Sequence, residues 1–186
     1  VDEGEVVGFI ATPGQLNIQP RLDGAADAIK ASGKKITFSQ IASGPTVNEE
    51  VSAVDAYYVG HKDVKGMFAV DAGSTMAVGK AMEKYGLHAK GVRAGGFDLL
   101  PGTLDAIDAG HLDFTIDQQP YLQGFYTVME MFLFQMSGGL SGPADINTGL
   151  KFIAKNSVQP YLKTKSRYEG NASAQELVER TGPIGG

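Results

Sequence analysis

Short apolar runs alternate with amphipathic stretches along most of this sequence, and turns rich in Gly and Pro separate them. A run, a polar loop and a stretch of helical period form a unit that occurs four times in succession. This order is typical of parallel strands joined by crossover helices. Because 186 residues suffice for one domain with a sizeable core, the pattern predicts an α/β domain with a doubly wound, mostly parallel sheet.

The spacing of apolar residues predicts the individual elements. In the first helix, Ile18, Leu22 and Ile29 recur at the helical period, and Gly33 ends the helix. The predicted strands are Val6–Ala11, Lys35–Ala42, Val64–Val70, Gly91–Phe97, Leu112–Ile116 and Ile146–Ile153. The predicted helices are Asn17–Ser32, Glu49–Val59, Ser74–Tyr85, Pro101–Ala109 and a long apolar one over residues 120–136. We therefore expect a lobe over residues 1–163 and an irregular polar tail over residues 164–186.

Composition and motifs exclude several classes of function. The formal charge is −5 and Lys and Arg are scattered singly, so no basic face is available for a phosphate backbone and no nucleic-acid partner is expected. Cys is absent, which excludes a disulfide, a thiol nucleophile and a thiolate metal site. The first strand is not followed by G-x-G-x-x-G, and no phosphate-binding loop ends in Gly-Lys-Ser/Thr. We therefore predict no cofactor.

Polar side chains follow the carboxyl ends of the predicted strands, where an open parallel sheet binds its ligands. Asp71 follows the third strand, Asp98 the fourth and Gln118 the fifth, while Gln19 and Arg21 lie after the first. These side chains provide donors and acceptors, but no nucleophile, no base-activated hydroxyl and no evident metal cage. The set suits a neutral polyhydroxy ligand, because each sugar hydroxyl both donates and accepts a hydrogen bond.

Each of these residues also has a simpler structural interpretation. Asp71 and Asp98 alternatively cap the helices that follow them. Gln118 and Gln119 alternatively close a turn between a strand and a helix. The convergence of several polar residues on one edge favours the binding interpretation over these single roles.

Two further groups of side chains leave alternatives open. Arg21 either reaches the crevice or pairs with Asp23 on a solvated helix face, and the surface pairing is the favoured alternative. Phe9, Phe97 and Tyr121 lie near the same strand ends and are candidates to cover the apolar faces of a sugar ring.

The three histidines fall at the opposite edge of the predicted sheet. His61, His88 and His111 each lie where a helix leads back into a strand. We expect neither catalysis nor metal binding from them. With no nucleophile at the other edge either, the sequence predicts a ligand-binding module and not an enzyme.

Four motifs, in the order of the strands, resemble one known family. They are Val7–Ile10 with Arg21–Gly24, Phe68–Asp71, Gly95–Asp98 and Thr115–Gly124. Together they resemble the second lobe of the type I periplasmic binding proteins, the ribose- and galactose-binding group, which is related to the effector lobes of LacI-type repressors. The resemblance covers about Val6 to Leu162.

The resemblance implies roles for individual residues. Asp98 matches the Asp that binds sugar hydroxyls in the family, and Asp71 falls where the family has Asn or Asp. Gln118 falls where a Gln or Asn contacts the ligand beside the hinge. An Arg that the family often carries after the first strand aligns with Gln19, two residues before Arg21, and this departure puts a preference for ribose in doubt.

The resemblance also implies a function and its partners. It implies reversible capture of a sugar for an ABC importer by a periplasmic or otherwise extracytoplasmic protein, lipid-anchored in its full-length form. Family members have two lobes, and the helix over residues 120–136 crosses the hinge to pack on the other lobe. The expected partners are therefore the sugar, the membrane permease subunits, and a missing amino-terminal lobe or a second copy of the chain.

Two alternative functions follow from the same fold. The first is the effector-binding lobe of a LacI-type repressor, which would be cytoplasmic and preceded by a helix-turn-helix. The second is a flavodoxin-like domain with Asp71 as a phosphoacceptor. That role needs further acidic residues to hold a metal, and the loop Thr12–Gly14 after the first strand has none.

Overall fold

Six strands form one sheet in the computed structural model of the protein, which describes residues 1–139, 142–143 and 145–164. The strands are β1 (Glu3–Ile10), β2 (Lys35–Ala42), β3 (Gly66–Ala69), β4 (Arg93–Phe97), β5 (Phe114–Asp117) and β6 (Lys151–Ile153). The helices are α1 (Gln19–Ser32), α2 (Val47–Gly60), α3 (Ala72–Lys84), α4 (Pro101–Ala109), α5 (Pro120–Met136) and α6 (Gln159–Thr164), with a turn of 3-10 helix at His88–Lys90.

The strand order is β2-β1-β3-β4-β5-β6, with β1 to β5 parallel and β6 antiparallel to β5. The order reverses at β1, which has β2 on one side and β3 on the other. The connection that leaves β1 and the one that leaves β3 run in opposite directions along the sheet, and this leaves a crevice at the carboxyl ends of these two strands. The predicted fold class, a doubly wound and mostly parallel α/β sheet, is confirmed.

Two apolar clusters cover opposite faces of the sheet. Successive residues of a strand point to opposite sides, so Phe9 and Met67 pack among buried side chains of α2, α3 and α4. Ile10 and Val70 point the other way, toward Leu22 of α1. Helices α2, α3 and α4 thus pack on one face and α1 on the other, and the loops at the carboxyl edge connect the strands to these helices.

Most predicted elements are present with ends shifted by a few residues. Strand β2 and helix α4 have the predicted bounds. Strand β1 starts earlier than predicted because its pairing with β2 begins at Glu3, opposite Lys35. It ends at Ile10 because the backbone N–H of Ala11 donates to Asp71 Oδ2 (2.8 Å) instead of continuing the ladder.

The last predicted strand, Ile146–Ile153, is wrong over most of its length, since β6 begins only at Lys151. The N–H of Gly149 donates to Asn147 Oδ1 (2.8 Å), and Gly149 has a φ of 75°. This side-chain turn holds the chain out of the sheet.

Helix α6 was not predicted, although its Tyr161 is fully buried in the cluster beneath α4. The tail predicted as irregular started at Thr164, which is instead the last residue of α6. The rest of that tail, residues 165–186, lies outside the described residues.

Helix α5 differs from the other long helices in the number of large apolar side chains that it exposes. Leu122 is its one buried residue. Large apolar side chains along the rest of the helix are exposed, and they are Phe125, Val128, Met129, Met131, Phe132, Leu133, Phe134 and Met136. Among the described residues, no helix combines the length and apolar character needed to cross a membrane.

Candidate functional site

Asp71, Asp98 and Gln118 lie at the same edge of the sheet. Each comes one or two residues after the end of β3, β4 or β5, and these three strands are parallel neighbours. All three side chains are partly exposed. The structure therefore brings together the three residues that the sequence singled out most strongly, and their role in binding a ligand remains a prediction.

The Asp71 carboxylate is fixed by two backbone donors. Its Oδ1 accepts from the N–H of Ser74 (2.9 Å), which makes Asp71 the N-cap of α3, and its Oδ2 accepts from Ala11 (2.8 Å). The capping alternative thus describes a real contact. The capping contact leaves acceptor capacity on the Asp71 carboxylate, because each oxygen has a second lone pair that can accept from a ligand hydroxyl.

Asp98 has a left-handed backbone with a φ of 73°, which is uncommon for residues other than Gly. Two bonds hold this conformation: Asp98 N–H donates to the Ile116 carbonyl (2.9 Å), and Thr115 Oγ1 donates to the Asp98 carbonyl (2.7 Å). The capping alternative is wrong for Asp98, because α4 begins after Leu100 without a side-chain cap. Its carboxylate instead faces along the edge, toward Gln118.

Arg21, Gln118 and Asp98 form a continuous chain of hydrogen bonds, called here the edge network. Arg21 donates from one guanidinium nitrogen to the Val70 carbonyl (2.8 Å) and from the other to Gln118 Oε1 (2.8 Å). Gln118 Nε2 in turn donates to Asp98 Oδ1 (2.6 Å). The Gln118 amide is thereby oriented at both ends.

The favoured alternative for Arg21, a surface pairing with Asp23, is wrong. Besides the two hydrogen bonds that Arg21 makes at the edge, its guanidinium carbon lies 4.3 Å from the centre of the Phe97 ring. An Arg stacked on an aromatic face and bonded through both nitrogens is held in a planar geometry that Lys does not reproduce. Arg21 therefore links the first turns of α1 to the ends of β3 and β5.

Burial raises the pKa of the Asp98 carboxyl above its ordinary value. The hydrogen bond from Gln118 and the positive charge of Arg21 oppose this shift, while the negative charge of Asp71 adds to it. Asp98 is thus a partly desolvated carboxylate whose charge depends on the edge network. Such a group accepts strong hydrogen bonds from neutral hydroxyls.

Gln19 lies apart from the edge network. Its Oε1 accepts from the N–H of Gly14 (3.0 Å), and its Nε2 donates to Asp23 Oδ1 (2.8 Å) and Gln40 Oε1 (3.3 Å). These contacts place Gln19 between the loop that follows β1 and the carboxyl-terminal half of β2. The pairing with Asp23 that was expected of Arg21 is made by Gln19.

The aromatic candidates occupy three different environments. Phe9 is fully buried in the core against Tyr57, so the suggestion that it covers a sugar ring is wrong. Phe97 is 8% exposed beneath Arg21. Tyr121 is partly exposed and stacks on Phe125 at the start of α5.

A buried polar group that was not predicted from the sequence lies behind Asp71. Glu50 of α2 is 4% exposed, and its Oε1 accepts from Ser74 Oγ (3.5 Å), which also lies 2.7 Å from Ser43 Oγ. Glu50, Ser43 and Ser74 are called here the Glu50 cluster. A Glu in the first turn of an amphipathic helix is typical of an exposed position, so no pattern in the sequence signals this burial.

The histidines lie at the opposite edge. His61 Nδ1 is 3.0 Å from Glu5 Oε2 near the start of β1, and His88 Nε2 is 3.5 Å from Asp113 Oδ1 just before β5. Among the residues that the structure describes, no three His, Asp or Glu side chains are grouped so as to hold a metal ion. The polar side chains at the carboxyl edge therefore remain the candidate site.

Comparison with known proteins gives a family match over most of the chain. Residues 1–135 match the family described as periplasmic binding protein domain. The xylose/arabinose-binding protein XylF of Sulfolobus acidocaldarius is 48% identical over 177 residues, which cover 93% of this chain and 43% of that protein. The chain thus spans less than half the length of this relative.

Solved structures share the fold at lower sequence identity. A solute-binding protein of an ABC transporter from Agrobacterium vitis, with bound D-fucose, superposes with a TM-score of 0.77 at 23% identity. A carbohydrate transporter solute-binding protein from Agrobacterium radiobacter, in complex with D-arabinose, gives 0.75 at 24% identity. Each alignment covers 89% of this chain and 56% of the solved chain. The sheet described above is therefore the sheet of one half of such proteins.

Proposed function

Because this chain belongs to the periplasmic binding protein family, we propose that it forms one lobe of a solute-binding protein that captures a sugar reversibly for an ABC importer. The 48% identity to a named sugar-binding protein supports this function. The match to a periplasmic binding protein domain, together with this relative, favours an importer component over a repressor lobe.

The edge network is the observation that carries the proposal. Donor and acceptor groups alternate along it, from the Arg21 guanidinium through the Gln118 amide to the Asp98 carboxylate. A sugar presents the complementary pattern, since its vicinal hydroxyls each donate one hydrogen bond and accept others. The five binding residues of the proposal are Asp71, Asp98, Gln118, Arg21 and, at the margin of the crevice, Gln19.

A pentose is the proposed ligand. The relative with 48% identity is a xylose/arabinose-binding protein. Asp71 and Asp98 provide two carboxylates for hydroxyl donors, a set that suits a neutral sugar. We propose simple capture without chemistry on the ligand, so the protein acts as a carrier and not as an enzyme.

The proposed partners follow from the two-lobed architecture of the family. A second lobe closes over the sugar, and the closed form is recognised by the membrane permease subunits. Helix α5, which leaves the sheet just after Gln118, packs on that second lobe in this proposal. The protein works outside the cytoplasmic membrane, in the periplasm or an equivalent extracytoplasmic space, held there by a lipid anchor.

Isothermal titration calorimetry on the complete gene product tests this function. Xylose and arabinose are the probes, and sucrose is the comparison because a disaccharide exceeds the volume of a pentose site. We expect saturable binding of at least one pentose and no saturable heat from sucrose. Absence of binding for both pentoses would overturn the proposed function.

A further inference from the structure

The Glu50 cluster joins a buried carboxyl to the proposed sugar site. Ser74 is the shared residue: its backbone N–H donates to Asp71 Oδ1 (2.9 Å) and its hydroxyl donates to Glu50 Oε1 (3.5 Å). Ser74 itself is fully buried, and Ser43 behind it is 2% exposed. Two carboxyl groups are therefore held at the same helix N-terminus, one facing the crevice and one buried behind it.

Gly73 accommodates this arrangement. A Cβ at Gly73 would overlap the Glu50 carboxyl, with Oε2 as the nearest atom. The first turn of α3 thus lies directly against the Glu50 carboxyl. A buried carboxyl is costly when ionised, and a second carboxyl beside it makes ionisation still less favourable.

The groups that face Glu50 are two carboxylates and two hydroxyls. Asp71 contributes a negative charge from the junction of β3 and α3, and Glu49 contributes another from α2 itself. Ser74 of α3 and Ser43 of the loop after β2 contribute hydroxyls only. Burial and the hydrogen bond and charge of Asp71 raise the pKa of Glu50 to about 7, against the opposing effect of the Ser74 hydroxyl.

We propose that Glu50 is a positioning residue that takes up a proton when the sugar binds, so that sugar affinity falls as the pH rises above neutrality. The inference rests on the proposed function, because it requires Asp71 to contact the ligand. Closure over a sugar removes water from the partly exposed Asp71, so its repulsion of the already buried Glu50 is less screened. The stronger repulsion favours the neutral Glu50 carboxyl, so a proton moves from the buffer onto a Glu50 carboxylate oxygen.

The sign of the pH dependence follows from linkage. Binding raises the affinity of Glu50 for its proton, so sugar affinity is highest where Glu50 is already protonated in the free protein. The affinity then decreases as the pH rises through the range between the free and bound titrations, by at most about tenfold per pH unit for one proton. The neutral Glu50 places no second negative charge behind Asp71, where Ser74 bonds both side chains.

Calorimetry with xylose and arabinose on the complete gene product, from about pH 6 to about pH 8.5, tests the proposal. We expect a several-fold loss of affinity over this range and a binding heat that changes with the ionisation enthalpy of the buffer, as proton uptake requires. Glu50→Gln mimics the protonated carboxyl, so it should keep the affinity of the wild type at low pH and lose the dependence on pH. Glu83→Gln removes a carboxylate from an exposed position of α3 and should retain that dependence.

The outcomes separate this inference from the proposed function. A wild-type protein that binds a pentose without net proton uptake would overturn the role of Glu50 and leave the function standing. A Glu50→Gln variant that keeps the wild-type pH profile would overturn that role in the same way. Protein that binds neither pentose at any pH would overturn the function and this inference together. If Glu50→Gln does not fold, the buffer dependence of the wild type alone decides.

Discussion

Asp98 combines a left-handed backbone with a partly buried carboxylate, and both features depend on neighbouring residues. The Ile116 carbonyl and the Thr115 hydroxyl hold the backbone, while Gln118 supports the charge. Asn adopts the left-handed region more readily than most residues and has the same shape as Asp. The substitution Asp98→Asn therefore removes the charge and leaves the backbone unstrained.

We expect Asp98→Asn to weaken pentose binding by about tenfold, because a charge-assisted hydrogen bond is replaced by a neutral one. Titration calorimetry on the complete gene product measures this change. Asp27→Asn, at an exposed position of α1, removes the same charge away from the crevice and is expected to bind normally. An unchanged affinity in Asp98→Asn would exclude Asp98 from the site.

The direction in which Asp98→Asn changes the stability of the fold also follows from the pKa of Asp98. Burial raises the pKa of Asp98, so the folded protein holds this proton more readily than the unfolded chain does. Ionised Asp98 therefore lowers the stability as the pH rises from the ordinary Asp value through the raised one. At neutral pH we expect Asp98→Asn to melt at the same temperature as the wild type or higher, in contrast to its loss of affinity.

At the scale of elements, glycines set the distance between β4 and its neighbours. A Cβ at Gly96 would overlap the Thr75 hydroxyl and lie 2.8 Å from the Ala69 carbonyl oxygen. Thr75 cannot move away freely, because its Oγ1 donates to the Asp71 carbonyl (2.7 Å) and accepts from the Phe97 N–H (2.9 Å). The close approach of β3, β4 and α3 therefore requires Gly at this position.

Gly96→Ala should destabilise the fold by about 1 to 3 kcal/mol through overpacking. Gly24→Ala is the matched comparison, because Gly24 lies inside α1 with open space around it, and this change should stabilise by about 0.5 to 1 kcal/mol. Thermal unfolding of both variants measures the difference. Equal melting temperatures would mean that β4 and α3 adjust to an added methyl group.

The regular elements were predictable where local pattern and tertiary structure agree. Strand β2 has the predicted bounds because clear turn residues flank its apolar run. The predicted strand Ile146–Ile153 failed because an Asn147 side chain bond and the positive φ of Gly149 override an apolar pattern. Helix α6 is only six residues long, which is too short for a periodic signal.

The candidate site was predictable to the extent that topology determines it. Parallel strands end at one edge, so Asp71, Asp98 and Gln118 could be grouped from the order of the strands in the sequence. The position of the Arg21 guanidinium could not be inferred, because it depends on a contact with Gln118 across 97 positions of the sequence. The burial of Glu50 depends in the same way on how α2 meets the first turn of α3.

At the scale of the whole molecule, α5 exposes an apolar surface whose contact with water is unfavourable. Met136 is 71% exposed, Val128 and Met131 are 66% exposed, and Phe132 is 60% exposed. Contiguous apolar surface of this kind marks an interaction site in soluble proteins. We propose that the second lobe of the complete gene product covers this surface, or that a second copy of the chain does so when that lobe is absent.

The 186-residue chain expressed by itself should therefore associate, because nothing in the described part of the chain covers the exposed side of α5. Sedimentation velocity over a range of concentrations should show a dimer or a concentration-dependent increase in mass, and light scattering should show a tendency to aggregate. Val128 and Phe132 lie one helical turn apart, so changing both to Lys should shift the chain toward monomer. Val59→Lys, at a 56% exposed position of α2, adds charge elsewhere and should leave the association unchanged. A sharply monomeric wild-type chain at high concentration, with α5 protected from hydrogen exchange, would show that the chain buries this face internally.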